Sequence, residues 1–259
     1  MRLATFNVLH GRSPQDGLVD AGRLAAAVGA LDADVLAIQE VDRDQHRSGR
    51  LDLTAVAARA SGAGEHRFAA AVVGTPGEGF RPLTHDDDGD GEPLYGVGLV
   101  SRFPVLSWRV TRLRPAPVRS PVFVSGPGGG LILLRDEPRV LLAAVVESPV
   151  GVMTVAATHL SFVPGWNVRQ LRQVVAALRG LPGPRVLLGD LNLPAGLVGL
   201  VSRWRVLGRL PTYPAVRPRV QLDHIIADRR DGGRLPLVRA VAAPRSLISD
   251  HRPLVVDLG

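Results

Sequence analysis

Six apolar runs in this chain each end, or begin, on side chains that do not belong in an apolar interior. "LATFNV" carries Asn7, "AIQEVD" carries Gln39 and Glu40, and "VAATHLS" includes Thr158 and His159. "VLLGDLN" closes on Asp190 and Asn192, "QLDHII" embeds Asp223 and His224, and "SDHRPLVV" opens with Ser249, Asp250 and His251. Burying one such group without a partner costs roughly 1–3 kcal/mol, and more for a charge. Six uncompensated burials would consume the roughly 5–15 kcal/mol of net stability of an ordinary domain. A fold for this sequence must therefore gather these run ends in one place, where they satisfy one another or share a metal ion. Glu40, Asp190 and Asp250, with the amides of Asn7 and Asn192, form an oxygen-rich donor set that favours Mg²⁺ or Mn²⁺ over Zn²⁺. The histidines fit neither HExxH nor zinc-finger spacing. Such ions usually serve phosphate chemistry, polarising a phosphoryl oxygen and stabilising the leaving oxygen.

Strand-like runs end at Val8, Gln39, Ser101, Glu147, His159, Gly189, Ile226 and Leu258. Between several of them lie helical patterns, at 20–34, 53–62 and 167–180; the first places apolar residues at 24, 27, 28 and 31. Some strands lead into helices and others into further strands through turns. That mixture predicts an α/β (α+β) chain with stacked, mostly antiparallel sheets and helices outside. No repeat and no long linker divides it, so residues 1–259 are expected to form a single domain. In "VLLGDLNLP" (186–194), strand alternation would aim Asp190 and Asn192 at a common target.

Two stretches look irregular. In "THDDDGDGEP" (84–93), Asp86, Asp88, Asp90 and Gly91 reproduce half of an EF-hand loop, but Val97 stands where the closing Glu belongs. A surface loop is the expectation there. "VSGPGGG" (124–130) is not followed by Lys-Ser/Thr, so it reads as a hairpin or loose connection instead of a P-loop.

Composition narrows the function classes. The chain of 259 residues has no cysteine, which removes disulfides, thiolate metal sites and Cys nucleophiles. It carries no Lys, so its net charge of +7 is borne by arginines. Two readings stay open: affinity for phosphate-rich partners, or codon bias of a GC-rich genome producing a solvated Arg surface. Aromatic residues are only 4%, poor equipment for stacking single-stranded nucleic acid. No apolar stretch approaches the ~20 residues of a membrane helix, and "MRLATFNVLHG" reads as a strand, not as a signal peptide. A soluble, cytoplasmic protein without stable membrane insertion is the expectation.

"TFNV", "IQEVD", "GLVSRFP" (98–104), "THLS", "GDLN", "LDHI" and "SDHRP" occur together in an order that resembles the endonuclease/exonuclease/phosphatase superfamily. That group includes deoxyribonuclease I-like and exonuclease III-like enzymes and neutral sphingomyelinases. The resemblance spans residues 3–257 and implies a four-layer α/β/β/α sandwich with its site at the shared mouth of two sheets. It implies Glu40 as principal metal ligand, Asn7 as a residue positioning metal or water, and Asp250 as a metal-side carboxylate. It further implies that Asp190 orients or deprotonates the attacking water, that Asn192 holds a phosphate oxygen, and that Asp223 fixes the tautomer of His251 beside the scissile phosphate. His159 resembles a phosphate ligand or general acid. Whether His251 or Asp190 removes the proton stays open. Phe162 and Trp166, in the loop after His159, are candidate substrate contacts, or they pack under their own loop. "PTYPAVRPR" (211–219) is either a substrate-facing loop or a Pro-stiffened connection. His224 reads as structural; His10, His46, His66 and His85 match no motif.

The implied activity is Mg²⁺- or Mn²⁺-dependent hydrolysis of a phosphodiester, in nucleic acid or in a small or lipid headgroup diester. The alternatives are a phosphomonoesterase of the same fold and a binding protein whose site has decayed; no acid of the set is missing. Asp42 stands where several DNA-cleaving members carry Lys or Arg, and "ATHLS" differs from the Tyr–Pro–Asn type segment of the repair enzymes. Both departures count against an abasic-site endonuclease. Gln39–Arg43 and Arg47–Gly49 resemble bacterial metal-dependent hydrolases of uncharted substrate.

Overall fold

The polar run ends at Asn7, Gln39–Glu40, His159 and Asp190 belong to two parallel strand pairs at the centres of two sheets, and those at Asp223 and His251 to the antiparallel strands beside them. The computed structural model describes residues 1–83, 91–124, 130–228 and 235–259. One sheet contains β1 (Arg2–Asn7), β2 (Val35–Arg43), β3 (Glu65–Thr75), β4 (Gly79–Pro82) and β5 (Leu94–Ser101), with β14 (Val238–Ala242) and β15 (Leu254–Leu258), in the order β14-β15-β1-β2-β5-β3-β4. The other contains β6 (Val105–Leu113), β9 (Arg139–Ser148), β10 (Gly151–His159), β11 (Arg185–Asp190), β12 (Arg205–Val206) and β13 (Asp223–Ala227), in the order β12-β13-β11-β10-β9-β6. β7 (Arg119–Val124) and β8 (Gly130–Arg135) form a separate antiparallel pair. Within the two large sheets every pairing is antiparallel except β1 with β2 and β10 with β11.

Period-two alternation sorts the side chains into layers. Leu3 of β1, Val35 and Ala37 of β2, Val155 and Ala157 of β10, Val186 and Leu188 of β11 and Ile225 of β13 meet between the sheets. The opposite face of the first sheet, with Phe6, Leu36 and Ile38, packs on α1 (Ala21–Gly29) and α2 (Leu53–Ser61) through Leu24, Val28, Leu53 and Ala57. The outer face of the second sheet, with Ala156, Leu187 and Ile226, packs on α3 (Trp166–Leu178) and α4 (Ala195–Ser202) through Leu171, Val174 and Val198. The result is the four-layer α/β/β/α sandwich expected from the sequence.

The helices start where the chain provides caps. Asp20 and Asp52 accept from the backbone N–H of Arg23 and Ala55, and Gly62 ends α2 in a left-handed conformation. The acidic stretch 84–90 and the glycine-rich residues 125–129 lie outside the described residues, so the EF-hand comparison and the connection at 124–130 rest there. Among the described residues no helix is long and apolar enough to cross a membrane.

Candidate active site

The same alternation that builds the core delivers the polar ends. Asn7 follows Leu3 and Thr5, His159 follows Val155 and Ala157, and Asp190 follows Val186 and Leu188. All three therefore sit at the inter-sheet face where the parallel pairs end. Register completes the set, because His159 pairs with Asp190 and Asp190 with Asp223 across β10, β11 and β13. Gly189 permits this: a Cβ there would lie 2.0 Å from the Thr158 carbonyl oxygen. Glu40 arrives differently. The β2–β5 register shifts between Gln39 and Val41, and Glu40 is the extra residue, with φ of 58°. The bulge turns its carboxylate into the site while Val41 returns to the helix-side core.

Asp190 Oδ2 is the point of convergence. It accepts from Asn7 Nδ2 at 3.1 Å, and lies 3.6 Å from His159 Nε2 and 3.8 Å from His251 Nε2. The Asn7 amide also donates to Glu40 Oε1 at 2.9 Å, while its oxygen accepts from the Leu9 N–H at 3.2 Å. Asn7 thus holds one carboxylate from each sheet with its donor end and spends its acceptor on the backbone. β11 ends at Asp190, so Asn192 meets it through a turn, not through the strand alternation expected from "GDLN". Asn192 has φ of 49°, and its N–H donates to Asp190 Oδ1 at 3.0 Å. Its side-chain amide lies 3.3 Å from His159 Nε2 and donates to the Leu160 carbonyl. Asn167, on α3, supports it by donating to its carbonyl at 2.8 Å.

His251 is clamped from three directions. Its Nδ1–H donates to Asp223 Oδ2 at 2.8 Å, and its N–H donates to Ser249 Oγ, whose hydroxyl donates to the Asn7 carbonyl at 2.6 Å. Tyr213 packs on the imidazole with ring centres 4.9 Å apart. Asp223 is anchored in turn by Thr212 Oγ1, which accepts from its N–H. His224 faces the helix layer and makes a 2.8 Å bond to the Leu193 carbonyl, the structural role read from its parity.

Burial sets the protonation states. It raises Glu40 to about 7, against the lowering bond from Asn7, with Asp250 adding to the rise. It raises Asp190 to about 6, against the opposing charge of His251. Burial alone would lower His251, but Asp223 and Asp190 outweigh it and carry the imidazole to about 10. His159 is pushed well below the usual range by burial, then by Arg139 and His251. The site thus pushes its two imidazoles in opposite directions, His251 up and His159 down.

Asp190, Asp223 and His251 present ligand atoms within 4.8 Å of one another, and the 2.8 Å bond from His251 to Asp223 ties two of the three together. Glu40 and Asp190, one partly exposed and one buried, are bridged by the Asn7 amide and are the pair that could hold a divalent cation. Both donors are oxygens, matching hard cations such as Mg²⁺ or Mn²⁺. Asp250 stands beside them, its charge felt by Glu40 and His251.

Clefts open on both sides. One of ≈ 270 Å³ is lined by Glu40, His10, Arg47, Tyr95, Glu137 and Phe162 among others. His10 matches no motif, yet it lines the cleft with a φ of 46°. Phe162 lines the Glu40 cleft. Trp166 instead donates from Nε1 to the Arg114 carbonyl and carries Arg169 over its ring. Asp42 is fully buried and gripped by Arg47 through two 2.8 Å bonds, with Arg47 lying over Tyr95. The acid that the sequence sets against a DNA path is therefore neutralised inside the wall.

A second group that motif reading missed lies at "RDEPR". Arg139 is 4% exposed and reaches Glu137 at 3.4 Å and Asp136 at 3.8 Å. Asp136 also accepts from Ser161 Oγ and the Ala116 N–H, locking this segment to the strand end that carries His159. Removing Arg139 strands the buried Asp136 and the mostly covered Glu137 beside it. Arg139→Ala is expected to cost about 3–5 kcal/mol in urea unfolding; a loss under about 1 kcal/mol would show that the acids re-solvate.

The chain is thus a two-sheet sandwich with acids, amides and imidazoles gathered at one mouth. The sequence matches the Endonuclease/Exonuclease/phosphatase family over residues 4–251, and the chain belongs to that family, whose members hydrolyse phosphoesters. Among solved structures it is similar to an endonuclease/exonuclease/phosphatase from Beutenbergia cavernae DSM 12333, at 25% identity and TM-score 0.67, covering 100% of this chain and 72% of that one. It also shares its fold with sphingomyelinase C from Streptomyces griseocarneus (16% identity, TM-score 0.61, 100% and 99% covered). The mannosyl-6-phosphatase Bt3783 of Bacteroides thetaiotaomicron VPI-5482 matches similarly (14% identity, TM-score 0.61, 100% and 99% covered). No curated protein matches the chain significantly.

Proposed function

We propose that the protein is a Mg²⁺- or Mn²⁺-dependent phosphodiesterase in which water attacks phosphorus in line. The observation that carries this reading is the convergence of Asn7, His159 and His251 on Asp190 Oδ2, with Glu40 bridged to the same point. Glu40 and Asp190 would hold the cation, with Asp250 beside them, and Asn7 would serve as the spacer between the two carboxylates. The bound ion supplies charge withdrawal from a phosphoryl oxygen and stabilises the departing oxygen.

Asp190 orients the attacking water and takes its proton. Asp190 is assigned that task instead of His251 because Asp223 and Asp190 raise the metal-free imidazole to about 10, which favours a donor over a base. His251 donates to a non-bridging phosphate oxygen, where charge builds up in the transition state. Asn192 donates from its amide to a second oxygen, and His159 binds the phosphate from the opposite wall. Phe162 contacts a substituent lying toward Glu40. A diester is favoured over a monoester because clefts flank the reacting point on both sides, with Glu40 lining one and Asp250 the other.

Bis-p-nitrophenyl phosphate with Mg²⁺ or Mn²⁺ tests this directly. Turnover should vanish in EDTA and return with excess metal. Cleavage of p-nitrophenyl phosphate alone would make the protein a monoesterase, and no cleavage of any ester under either metal would leave a binding protein.

A further inference from the structure

The Asp250 side of the site opens into a cleft of ≈ 460 Å³, within the range of small-molecule binding sites. The segment "PTYPAVRPR" forms one wall and is pinned to the catalytic strand entry. Its Ala215 N–H donates to the Asp250 carbonyl at 2.6 Å, and Arg252 donates both to the Thr212 carbonyl and, from Nε, to the Ala215 carbonyl. The cleft is thus fixed to His251 and Asp250 by several bonds and inherits their position.

Its chemistry is graded. Asp250 lines it near the reacting point, Pro14, Pro214 and Val216 give it apolar walls, and Arg217 and Arg245 line it from two different segments. Both arginines are exposed, and among the described residues neither guanidinium has a hydrogen-bond or ion-pair partner. Arg47, lining the opposite cleft, is instead spent on Asp42. An exposed guanidinium alone is worth little, whereas two lining the same cleft offer an anion charge-assisted bonds from both. The Asp250 carboxylate repels an anion at its own end, so an anionic group in this cleft is driven to the arginines.

We propose that this cleft is a recognition subsite for a second anionic group, phosphate or carboxylate, carried by the substrate beyond the scissile phosphoester. The proposal rests on the phosphoester reading above and narrows its substrate to polyanionic esters.

The test compares adenosine 3′,5′-bisphosphate with adenosine 5′-monophosphate by calorimetry, using the full-length protein in EDTA, where turnover stops and bound ester survives. The bisphosphate is expected to bind about tenfold tighter, with the excess shrinking as salt rises. Arg217→Gln/Arg245→Gln should bring the two probes to parity, and Arg217→Glu alone should reverse part of the preference; unchanged thermal midpoints certify the fold. Equal affinity for the probes in the parent, no binding of either, or a preference that survives the double substitution would overturn the subsite. Turnover by the wild-type chain is measured separately, so an inactive protein that still prefers the bisphosphate refutes hydrolysis and keeps the subsite.

Discussion

Asp190→Asn is expected to lower kcat on a phosphodiester by ~10²–10⁴-fold while making the metal-free protein more stable. The first effect follows from its role as proton acceptor, since a positioned base contributes about that factor. The second follows from burial, which raises its carboxyl to about 6. An acid raised in the folded state binds its proton more tightly there than in the unfolded chain. Folding is therefore penalised as pH climbs from the ordinary carboxylate range through about 6, and the penalty is complete above it. Asn removes that penalty, keeps an acceptor for Asn7 Nδ2, and sacrifices one acceptor for the Asn192 N–H. In EDTA at pH 7.5 the variant should gain roughly 1–3 kcal/mol, shrinking toward zero or below near pH 4. Steady-state kinetics with Mn²⁺ and urea unfolding in EDTA check the two halves independently. Full activity would remove Asp190 from the chemistry, and a large loss of stability would make it a structural residue.

The legible part of this molecule was the part governed by alternation and burial. Asn7, His159, Asp190 and Asp223 share parity with apolar inter-sheet residues, so their common face follows from counting by twos along each strand. Stacked sheets with helices outside were legible from the apolar faces at 20–34, 53–62 and 167–180, whereas the four-layer order came from the family resemblance. Glu40 breaks the count. Strict alternation would put it on the face of Leu36 and Ile38, and only the left-handed bulge brings it into the site. A single sequence carries no signal for that bulge beyond an acid lodged in an apolar run. Asn192 was legible in identity and not in geometry, because the strand stops two residues earlier. β6 and β14 escaped notice because they are edge strands with mostly exposed side chains, and α4 because it is apolar nearly all round. The Asp136–Glu137–Arg139 group was hidden because charged residues before an apolar run resemble a solvated turn; their burial depends on the loop that Ser161 and Ala116 bring against them.

Asp223→Asn tests the other half of the mechanism, and its signature is a dependence on pH. His251 Nδ1–H donates to Asp223 Oδ2 at 2.8 Å, and neither group has ready access to water. Burial lowers an imidazole; Asp223, then Asp190, reverses that and holds the proton up to about 10. A histidine raised above its unfolded value contributes stability that is fully present below about pH 6.5 and is lost as pH rises through about 10. With Asn at 223 the carboxylate charge disappears, burial prevails, and the ring is expected to be neutral at pH 7. The stability gap between wild type and variant should therefore reach about 3–5 kcal/mol near pH 6.5 and narrow steadily toward pH 10. The same change takes away the proton that His251 offers the phosphate, so kcat at neutral pH is expected to fall ~10²–10⁴-fold. Urea unfolding of both proteins in EDTA at pH 6.5, 8 and 10, with NMR titration of the His251 ring, reads the two effects together. A gap that does not change with pH would mean that the bond between Asp223 and His251 carries no extra proton. The assignment of proton removal to Asp190 would then fail with it.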